Sequence, residues 1–384
     1  MIQPGNPNEV AAALRRASES GQTIVIRGAG TKSAWGRPPS RVDTILDMRR
    51  LNRILAHEHG DMTATIEAGT SLHAVNEALA IHGQTLPLDP PFADRATIGG
   101  LLATNDSGPL RHRYGTPRDL VIGIELATTD GTLSKAGGRV VKNVAGYDLS
   151  KLVTGSFGSL AAIVSATFKL APLPAGSKTM RIGLRDARAL GQVVHIMMAS
   201  QLEPVAFEVG TAGTLHLLLR FASLPAVVDA QIAQATSSLS AWAASIDVLD
   251  GRAELAIWTA HAAELWHSPG AILRASWLPA SMTAVLDELE RAASDLGGAT
   301  MVTGRAAVGA GHVAVTGDAS AQAAFVERLR ASSTFGNVVV VRGSAELKAL
   351  VDVWGSSGDR QPLFDSLKRA FDPNGVLNAG RGPL

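Results

Sequence analysis

The chain has 384 residues, of which 46% are apolar and 18% are charged. This much apolar material predicts large buried cores, and the length predicts two or three domains at about 150 residues each. The net charge is +1 without a Lys/Arg cluster, so no nucleic-acid partner is expected. Cysteine is absent, which excludes disulfides, a Cys nucleophile, thiolate zinc sites and Cys-ligated iron–sulfur clusters on this chain.

The first 16 residues lack the basic flank and apolar core of a signal peptide. No apolar run reaches the roughly 18 residues of a membrane span. We therefore expect a cytoplasmic protein without a transmembrane segment, and a peripheral contact at the inner face of the membrane stays open.

The first 170 residues read as short strands separated by glycine-rich loops. Strands are predicted at 23–26, 44–48 and 62–67, and a helix at 71–80. Asp130-Gly131 between the runs 121–127 and 132–135 indicates a hairpin. A short helix at 148–152 and a strand at 162–170 follow, and residues 171–176 resemble a linker.

After this linker, strands and helices alternate. Strands are predicted at 180–184, 205–209, 214–221, 271–277, 300–304, 312–316 and 338–341. Helices are predicted at 187–199, 225–241, 281–296 and 320–330, the last with Ser320 as its N-cap. The order indicates two βαββαβ-like halves of an α+β sheet domain. A helix at 362–371 and a turn at 372–375 end the pattern.

Three segments rich in small residues are the candidates for chemistry. They are residues 28–36, residues 86–108 and residues 137–158. Glycines after a buried strand let backbone N–H groups converge on phosphate oxygens. The first loop lacks the third glycine of a Rossmann fingerprint and is not a Walker motif. Taken alone, an ordinary connecting loop is its favoured interpretation.

Together, the three segments resemble the FAD-binding domain of the vanillyl-alcohol-oxidase, or PCMH, type. The resemblance rests on Arg27-Gly28-Ala29-Gly30-Thr31-Lys32-Ser33, on the run from Pro87 to Gly100 with residues 105–108 beyond it, and on the run from Lys142 to Ile163. It covers roughly residues 6–172. It implies an α+β fold in which two α+β subdomains clamp FAD under an α+β cap domain with an antiparallel sheet. The predicted division is an FAD-binding domain at 1–174, a cap domain at 178–342 and a C-terminal segment at 343–384 that returns to the FAD site.

More narrowly, the chain resembles the smaller FAD-binding subunits of bacterial glycolate oxidases. The stretches 35–38, 86–91, 141–150 and 371–381 carry this resemblance. It also places Arg381 near the flavin. The cofactor-binding residues that it implies are Arg27, Gly28, Ala29, Gly30, Thr31, Lys32, Ser33, Pro87, Thr97, Gly99, Gly100, Asn105, Ser107, Gly108, Lys142, Asn143, Gly146, Tyr147, Asp148, Gly155, Gly158, Ile163 and Asn378.

Departures from the family bear on mechanism. Many relatives attach FAD covalently through a His or Cys, but the loop 28–36 has no His and the chain has no Cys, so we expect non-covalent FAD. The metal-binding His-x-His element of the larger, catalytic type of subunit has no counterpart in the cap region, so no metal is expected. His57 and His59 have that spacing in the FAD half, where a surface loop is their favoured interpretation.

In the cap region, Arg274 is the single catalytic candidate, because an arginine on a strand can bind a substrate carboxylate in bidentate fashion. A solvent-facing Arg274 is the favoured alternative. The histidines 195, 216, 261, 267 and 312 are expected to be surface or packed residues, and the tryptophans 258, 266 and 277 core residues.

The resemblance implies an FAD-binding subunit of a glycolate oxidase or dehydrogenase complex, which oxidises glycolate to glyoxylate and passes electrons to an iron–sulfur subunit. The implied partners are that subunit, a larger FAD-binding catalytic subunit and a small 2-hydroxy-acid substrate. Two alternatives stay open: a stand-alone FAD-dependent dehydrogenase for a lactate-type 2-hydroxy acid, and a non-catalytic structural subunit that keeps the fold.

Overall fold

The computed structural model describes residues 1–138 and 147–383. It divides into two compact units. The first comprises residues 1–108, 114–173 and 357–384, and the second comprises residues 109–113 and 174–356. Residues 343–356, grouped with the C-terminal segment in the sequence analysis, thus belong to the second unit. In the part of the chain that is described, no helix is both long and apolar enough to cross a bilayer.

Elements up to residue 172 are, in chain order, α1 (Pro7–Ser20), β1 (Ile24–Arg27), β2 (Thr44–Asp47), β3 (Ile54–Glu58), β4 (Thr63–Glu67), α2 (Leu72–Ala80), β5 (Gln84–Thr85), α3 (Ile98–Thr104), α4 (Arg111–Tyr114), α5 (Pro117–Leu120), β6 (Val121–Ala127), β7 (Leu133–Gly137), α6 (Leu149–Val153), β8 (Ala162–Lys169) and β9 (Ala171–Pro172).

The remaining elements are β10 (Gly176–Leu184), α7 (Ala187–Ala199), β11 (Ala206–Gly210), β12 (His216–Ser223), α8 (Pro225–Leu239), β13 (Ala243–Leu249), α9 (Gly251–His267), β14 (Ala271–Trp277), α10 (Met282–Asp295), β15 (Thr300–Arg305), β16 (Ala310–Val315), α11 (Ala319–Ala331), β17 (Phe335–Arg342), α12 (Ala345–Leu350) and α13 (Gln361–Phe371). Short 3₁₀ turns lie at Met48–Arg50, Pro279–Ser281 and Gly358–Arg360.

The first unit contains two packed regions. In the smaller one, α1 covers the parallel pair β1–β2, and Val376 and Leu377 join the same core. In the larger one, α2 and α3 pack on an antiparallel sheet whose order among the described strands is β3-β4-β8-β6-β7. The predicted hairpin at Asp130-Gly131 is confirmed, since β6 and β7 pair across it. Strand β8 contributes buried residues to both cores because its two faces are covered.

Residues 174–356, all of which are described, form one antiparallel sheet of order β13-β10-β12-β11-β15-β16-β14-β17. The elements run β-α-β-β-α-β twice, with α9 between the two halves. The second strands of the two halves, β11 and β15, pair at the centre of the sheet. From there outwards, both halves have the order second, third, first and fourth strand. Buried apolar side chains of α7, α8, α10 and α11 cover one sheet face.

Alternation along the strands leaves a polar second face on this sheet. On β14, Leu273 and Ala275 belong to the helix-covered core, so Arg274 points to the other face. The same alternation puts Glu208, Arg305 and His312 on that face, where α9 also packs through Leu265.

Several predicted boundaries were wrong. The proposed linker at 171–176 contains β9, which pairs with β5, and the first residue of β10. Asp318 caps α11 in place of Ser320, because its carboxylate accepts the N–H of Ala321 at 2.8 Å. His57 lies on β3 and not in a surface loop.

Candidate functional site

A loop of small residues follows β1. Strand β1 ends at Arg27, and Gly30 has φ +77°, a conformation that glycine adopts without strain. Within the described residues, the N–H groups of residues 28–32 donate to no protein acceptor. Five successive N–H groups without a protein partner form a strong set of donors for an anionic ligand.

The start of α3 forms the wall beside this loop. A Cβ on Gly28 would lie 2.1 Å from Oγ1 of Thr97, so the loop backbone packs directly against this threonine. A Cβ on Gly99 would lie 2.8 Å from the Cβ of Ala68, next to β4. Because glycine permits both approaches, larger residues here would separate the two walls.

A third wall comes from distant parts of the chain. Asn378 accepts the N–H of Ile26 at 3.0 Å through its side-chain oxygen, and its amide donates to the carbonyl of Phe157. Arg381 donates to the carbonyls of Lys32 and Ser33 at 2.7 and 3.2 Å. Through these hydrogen bonds, the C-terminal segment supports β1 and the loop that follows it.

Asp372 fixes the turn that brings this segment back. Its buried carboxylate accepts the N–H groups of Val376 and Leu377 and pairs with Lys368 at 2.6 Å. Leu377 then forms a parallel bridge with Ile24. The predicted turn at 372–375 thus positions Asn378 and Arg381.

These walls line one cleft in the first unit. Its lining contains thirteen of the predicted cofactor residues: Arg27, Gly28, Ala29, Gly30, Thr31, Lys32, Ser33, Thr97, Gly99, Gly100, Gly158, Ile163 and Asn378. It also contains Arg381 and residues that the sequence analysis did not select: Ile26, Met48, Ala68, Ala103, Thr104, Phe157 and Ala161.

Other predicted residues lie away from this lining. These are Pro87, Asn105, Ser107, Gly108, Tyr147, Asp148 and Gly155. Several support its walls: Asn105 ends α3 in a left-handed conformation, and the N–H of Gly155 donates to Leu102 in α3. Asp148 caps α6, and Tyr147 is exposed. Lys142, Asn143 and Gly146 lie outside the described residues.

Charge in the cleft is partly neutralised. Nζ of Lys32 lies 3.2 Å from Oδ2 of Asp106, and both side chains are buried. Burial also lowers the pKa of Arg381. On β2, the side-chain hydrogen bond from Arg49 outweighs burial and lowers the pKa of Asp47 to about 2.

This cleft suits a flat cofactor with a pyrophosphate. The N–H groups and hydroxyls of residues 28–33 could hold phosphate oxygens, and Ala68, Ala103, Ala161 and Ile163 supply an apolar wall for an aromatic ring. FAD has both parts. Among the described residues that line the cleft there is no His, and the chain has no Cys.

The polar face of the second unit contains a separate group of charged residues. On this face, Glu208 pairs with Arg305 and His261, at 3.2 Å in both cases. His312 is fully buried, and its pKa is lowered well below the usual value, first by burial and then by Arg305, Arg274 and Arg111. Arg274 is half-buried and faces His312 across the β14–β16 pair.

The remaining aromatic candidates of the second unit are mainly structural. Trp277 is buried in the main core, and the indole N–H of Trp258 donates to Thr179 at 2.8 Å. Trp266 packs on the smaller cluster around Leu265. His216 bonds the carbonyl of Thr214 at 2.8 Å, and burial lowers its pKa.

Comparison with known proteins agrees with this geometry. The sequence profile of the FAD binding domain family matches residues 1–137. Over 224 residues the chain is 33% identical to glycolate oxidase subunit GlcD of Bacillus subtilis, which is 58% of this chain and 48% of that protein. It is 31% identical over 263 residues to D-lactate dehydrogenase of Archaeoglobus fulgidus, covering 64% and 59% of the two chains.

Glycolate oxidase subunit GlcE of Escherichia coli is 35% identical over 183 residues, 47% of this chain and 51% of that protein. The chain thus spans about half the length of the curated relatives that it matches. Among solved structures, alkyldihydroxyacetonephosphate synthase superimposes with a TM-score of 0.71 and 17% identity, over 98% of this chain and 76% of that one. This likeness concerns the fold and agrees with the predicted α+β architecture. The sequence of residues 1–137 therefore matches the FAD binding domain family, and this match supports FAD as the cofactor.

Proposed function

We propose that this chain is a flavoprotein oxidoreductase for 2-hydroxy acids that holds FAD without a covalent bond. The observation that carries this proposal is the row of N–H groups at residues 28–32. They have no acceptor among the described residues and line a cleft in the region that matches the FAD binding domain family. Bound FAD supplies the capacity to accept a hydride. The loop would bind and orient the pyrophosphate, and Asn378 and Arg381 would keep the loop in place.

For the substrate, we propose that Arg274 binds the carboxylate. The charged groups that shift the pKa of His312 are Arg305, Arg274 and Arg111, all of which are positive. Glu208 offsets part of this charge through Arg305. Three arginines near one half-buried sheet face favour a small anion there, and a guanidinium can bind a carboxylate with two parallel hydrogen bonds.

The finer proposal is a subunit of a glycolate-oxidising complex, located in the cytoplasm or peripherally at the membrane. Its overall reaction removes two electrons and two protons from glycolate and gives glyoxylate. Similarity to two glycolate oxidase subunits supports this assignment. Since the chain has no Cys, a Cys-ligated iron–sulfur relay would have to lie on a partner. We propose an iron–sulfur subunit and a larger FAD-binding subunit as these partners.

A second candidate is a stand-alone D-lactate-type dehydrogenase. The likeness to the Archaeoglobus fulgidus D-lactate dehydrogenase favours it, because that alignment is longer than those to the glycolate oxidase subunits. This candidate predicts that the isolated chain reduces its own flavin. The complex predicts that turnover needs the partners.

The deciding experiment is purification of the chain from its own cell, with a flavin spectrum and mass spectrometry of bound proteins. Acid precipitation should release all flavin into the supernatant if attachment is non-covalent. Anaerobic addition of glycolate or D-lactate then shows whether the flavin is reduced by the isolated chain or by the complex. Complete absence of flavin, also after refolding with FAD, would overturn the proposal and leave a structural subunit.

Variants test the substrate site. Arg274→Ala should lower kcat/KM for the 2-hydroxy acid at least about tenfold, because charged hydrogen bonds contribute about 1.5–3 kcal/mol each. Arg181→Ala, which removes an exposed arginine from β10 of the same sheet, is the matched control and should leave kcat/KM unchanged. Equal effects of both variants would contradict a role for Arg274 in substrate binding.

A further inference from the structure

Three histidines from separate segments of the first unit meet at its surface. His57 lies on β3, His59 lies in the turn between β3 and β4, and His82 follows α2. One ring nitrogen from each can be chosen so that all three lie within 4.8 Å of one another. The rings of His59 and His82 stack with centroids 3.7 Å apart, and the ring of His57 meets that of His59 edge-on at 4.4 Å. We call these residues the histidine triad.

Gln84 on β5 organises the triad. Its side-chain oxygen lies 2.8 Å from Nε2 of His57, and its amide nitrogen donates to the backbone carbonyl of His59 at 2.9 Å. Because the amide group must donate to that carbonyl, its oxygen faces His57 and accepts a proton from Nε2. This hydrogen bond fixes the tautomer of His57 and leaves its Nδ1 with a free lone pair.

This arrangement is typical of a metal ligand with its supporting partner. Metal-binding histidines commonly donate their second ring N–H to a nearby acceptor, which orients the ring. Gln84 is buried and holds two of the three segments, so it would orient His57 relative to His59. His59 and His82 are exposed, so their rings are free to adjust.

The distances suit a small transition-metal ion. Nitrogen ligands about 2.0–2.1 Å from Zn²⁺ in a tetrahedral site lie about 3.3 Å from one another. Small rotations of the two exposed rings would bring the ligand nitrogens, which already lie within 4.8 Å of one another, to this separation.

We propose that the histidine triad binds one divalent transition-metal ion of the class that imidazole ligates, with Zn²⁺ as its representative, and that Gln84 is its positioning residue. Three protein ligands leave the fourth tetrahedral position for water or another ligand. None of the three histidines lines the FAD cleft, so this site is distinct from it. A bound ion would cross-link the β3–β4 turn to the turn after α2 and would hold these segments together.

The direct test is metal titration of the purified FAD-loaded chain after treatment with a chelator. Co²⁺ added as a spectroscopic probe should produce the intense visible bands of a tetrahedral site and should saturate at one equivalent. Zn²⁺ should displace it with the same stoichiometry. His59→Ala and His82→Ala should each weaken Zn²⁺ binding at least tenfold, and Gln84→Leu should weaken it by about 10–100-fold.

His73→Ala is the matched control. His73 is an exposed histidine on α2 and has Glu77 beside it at 3.4 Å, so its loss removes one histidine from the same surface without touching the triad. FAD absorbance verifies that each variant is folded. If His59→Ala does not retain FAD, His82→Gln at the exposed turn replaces it as the test variant.

A site with no saturable Co²⁺ signal at one equivalent would overturn the proposal. Equal losses in His73→Ala and His82→Ala would also overturn it, because they would indicate nonspecific surface binding. Metal binding has no bearing on turnover in this experiment, so failure here would leave the proposed oxidoreductase activity intact.

Discussion

The buried ion pair between Lys32 and Asp106 gives a quantitative prediction. Nζ and Oδ2 lie 3.2 Å apart, and the side chains are 6% and 4% exposed. At an effective dielectric constant of 20, two unit charges at this distance attract by about 5 kcal/mol. Removing one partner takes the opposite charge away from a buried ion, which typically costs 3–5 kcal/mol.

We therefore expect Lys32→Met and Asp106→Asn each to destabilise the first unit by about 3–5 kcal/mol. The double variant removes both charges, so its destabilisation should be smaller than that of either single variant. The coupling free energy obtained from the four proteins should then be at least about 2 kcal/mol.

Native-state hydrogen exchange of the FAD-free chain measures this cycle, because it reports the opening free energy of each segment separately. Exchange in peptides from α1 and β8 reports the opening of the first unit, because these elements contribute to its buried cores. Exchange in peptides from α7, in the core of the second unit, is the internal reference. If the two single effects add to within about 0.5 kcal/mol in the double variant, the reasoning from a coupled buried pair is refuted.

Two further predictions concern the FAD cleft and the acid stability of the first unit. Gly28→Ala places a Cβ 2.1 Å from Oγ1 of Thr97. Because overpacking of this kind costs about 1–3 kcal/mol, the variant should bind FAD about 5–150-fold more weakly in a flavin fluorescence titration. Gly60→Ala, whose Cβ meets no atom within 4 Å, should bind FAD normally, and equal losses would contradict the argument. The hydrogen bond from Arg49 lowers the pKa of Asp47 from 3.8 to about 2. The ionised carboxylate therefore stabilises the folded state by about 2 kcal/mol above about pH 4, and this stabilisation is lost as the pH falls toward 2. Urea denaturation should show Asp47→Asn less stable by about that amount at pH 7 and equal to the parent near pH 2, whereas a constant difference would show that the carboxylate charge is not involved.

The sequence was most informative where local chemistry decides the structure. Asp130-Gly131 indicated its hairpin, in which Gly131 adopts φ +85°, a conformation that glycine favours. The helix predicted at 71–80 begins at Leu72, because Ser71 caps it. The loop from Gly28 to Ser33 was found because consecutive small residues after a strand leave backbone donors accessible. These features depend on a few neighbouring residues, so no long-range information was needed.

Residues that contribute to the cleft from other strands were missed. Ala68, Ala161 and Phe157 are apolar and look like ordinary core residues in the sequence. For Ala68 a signal existed: Ala68-Gly69-Thr70 is another run of small residues directly after a strand, and a Cβ on Gly69 would lie 2.1 Å from the carbonyl of Met48. Phe157 and Ala161 lie within the run from Lys142 to Ile163 that carries the resemblance, but the fold was needed to single them out.

In the second unit, β13 and α9 escaped prediction for a physical reason. Strand β13 is an edge strand whose residues are half-buried or exposed, so it lacks a clear apolar alternation. Helix α9 packs on the polar sheet face and buries Glu254 and His261 beside Leu265, so it lacks a strong apolar stripe. Polar burial of this kind is a tertiary property that helical periodicity does not reveal.

The return of the C-terminal segment to β1 has a consequence for biosynthesis. Arg381 supports a loop that precedes it by 349 residues. At 5–20 residues per second, the ribosome needs about 20–70 s to travel from one to the other. For all of that time the nascent chain carries the loop after β1 without its final supports. Tight retention of FAD would therefore mark a chain whose translation has passed residue 381, and ribosome-bound intermediates arrested before it should exchange the flavin freely.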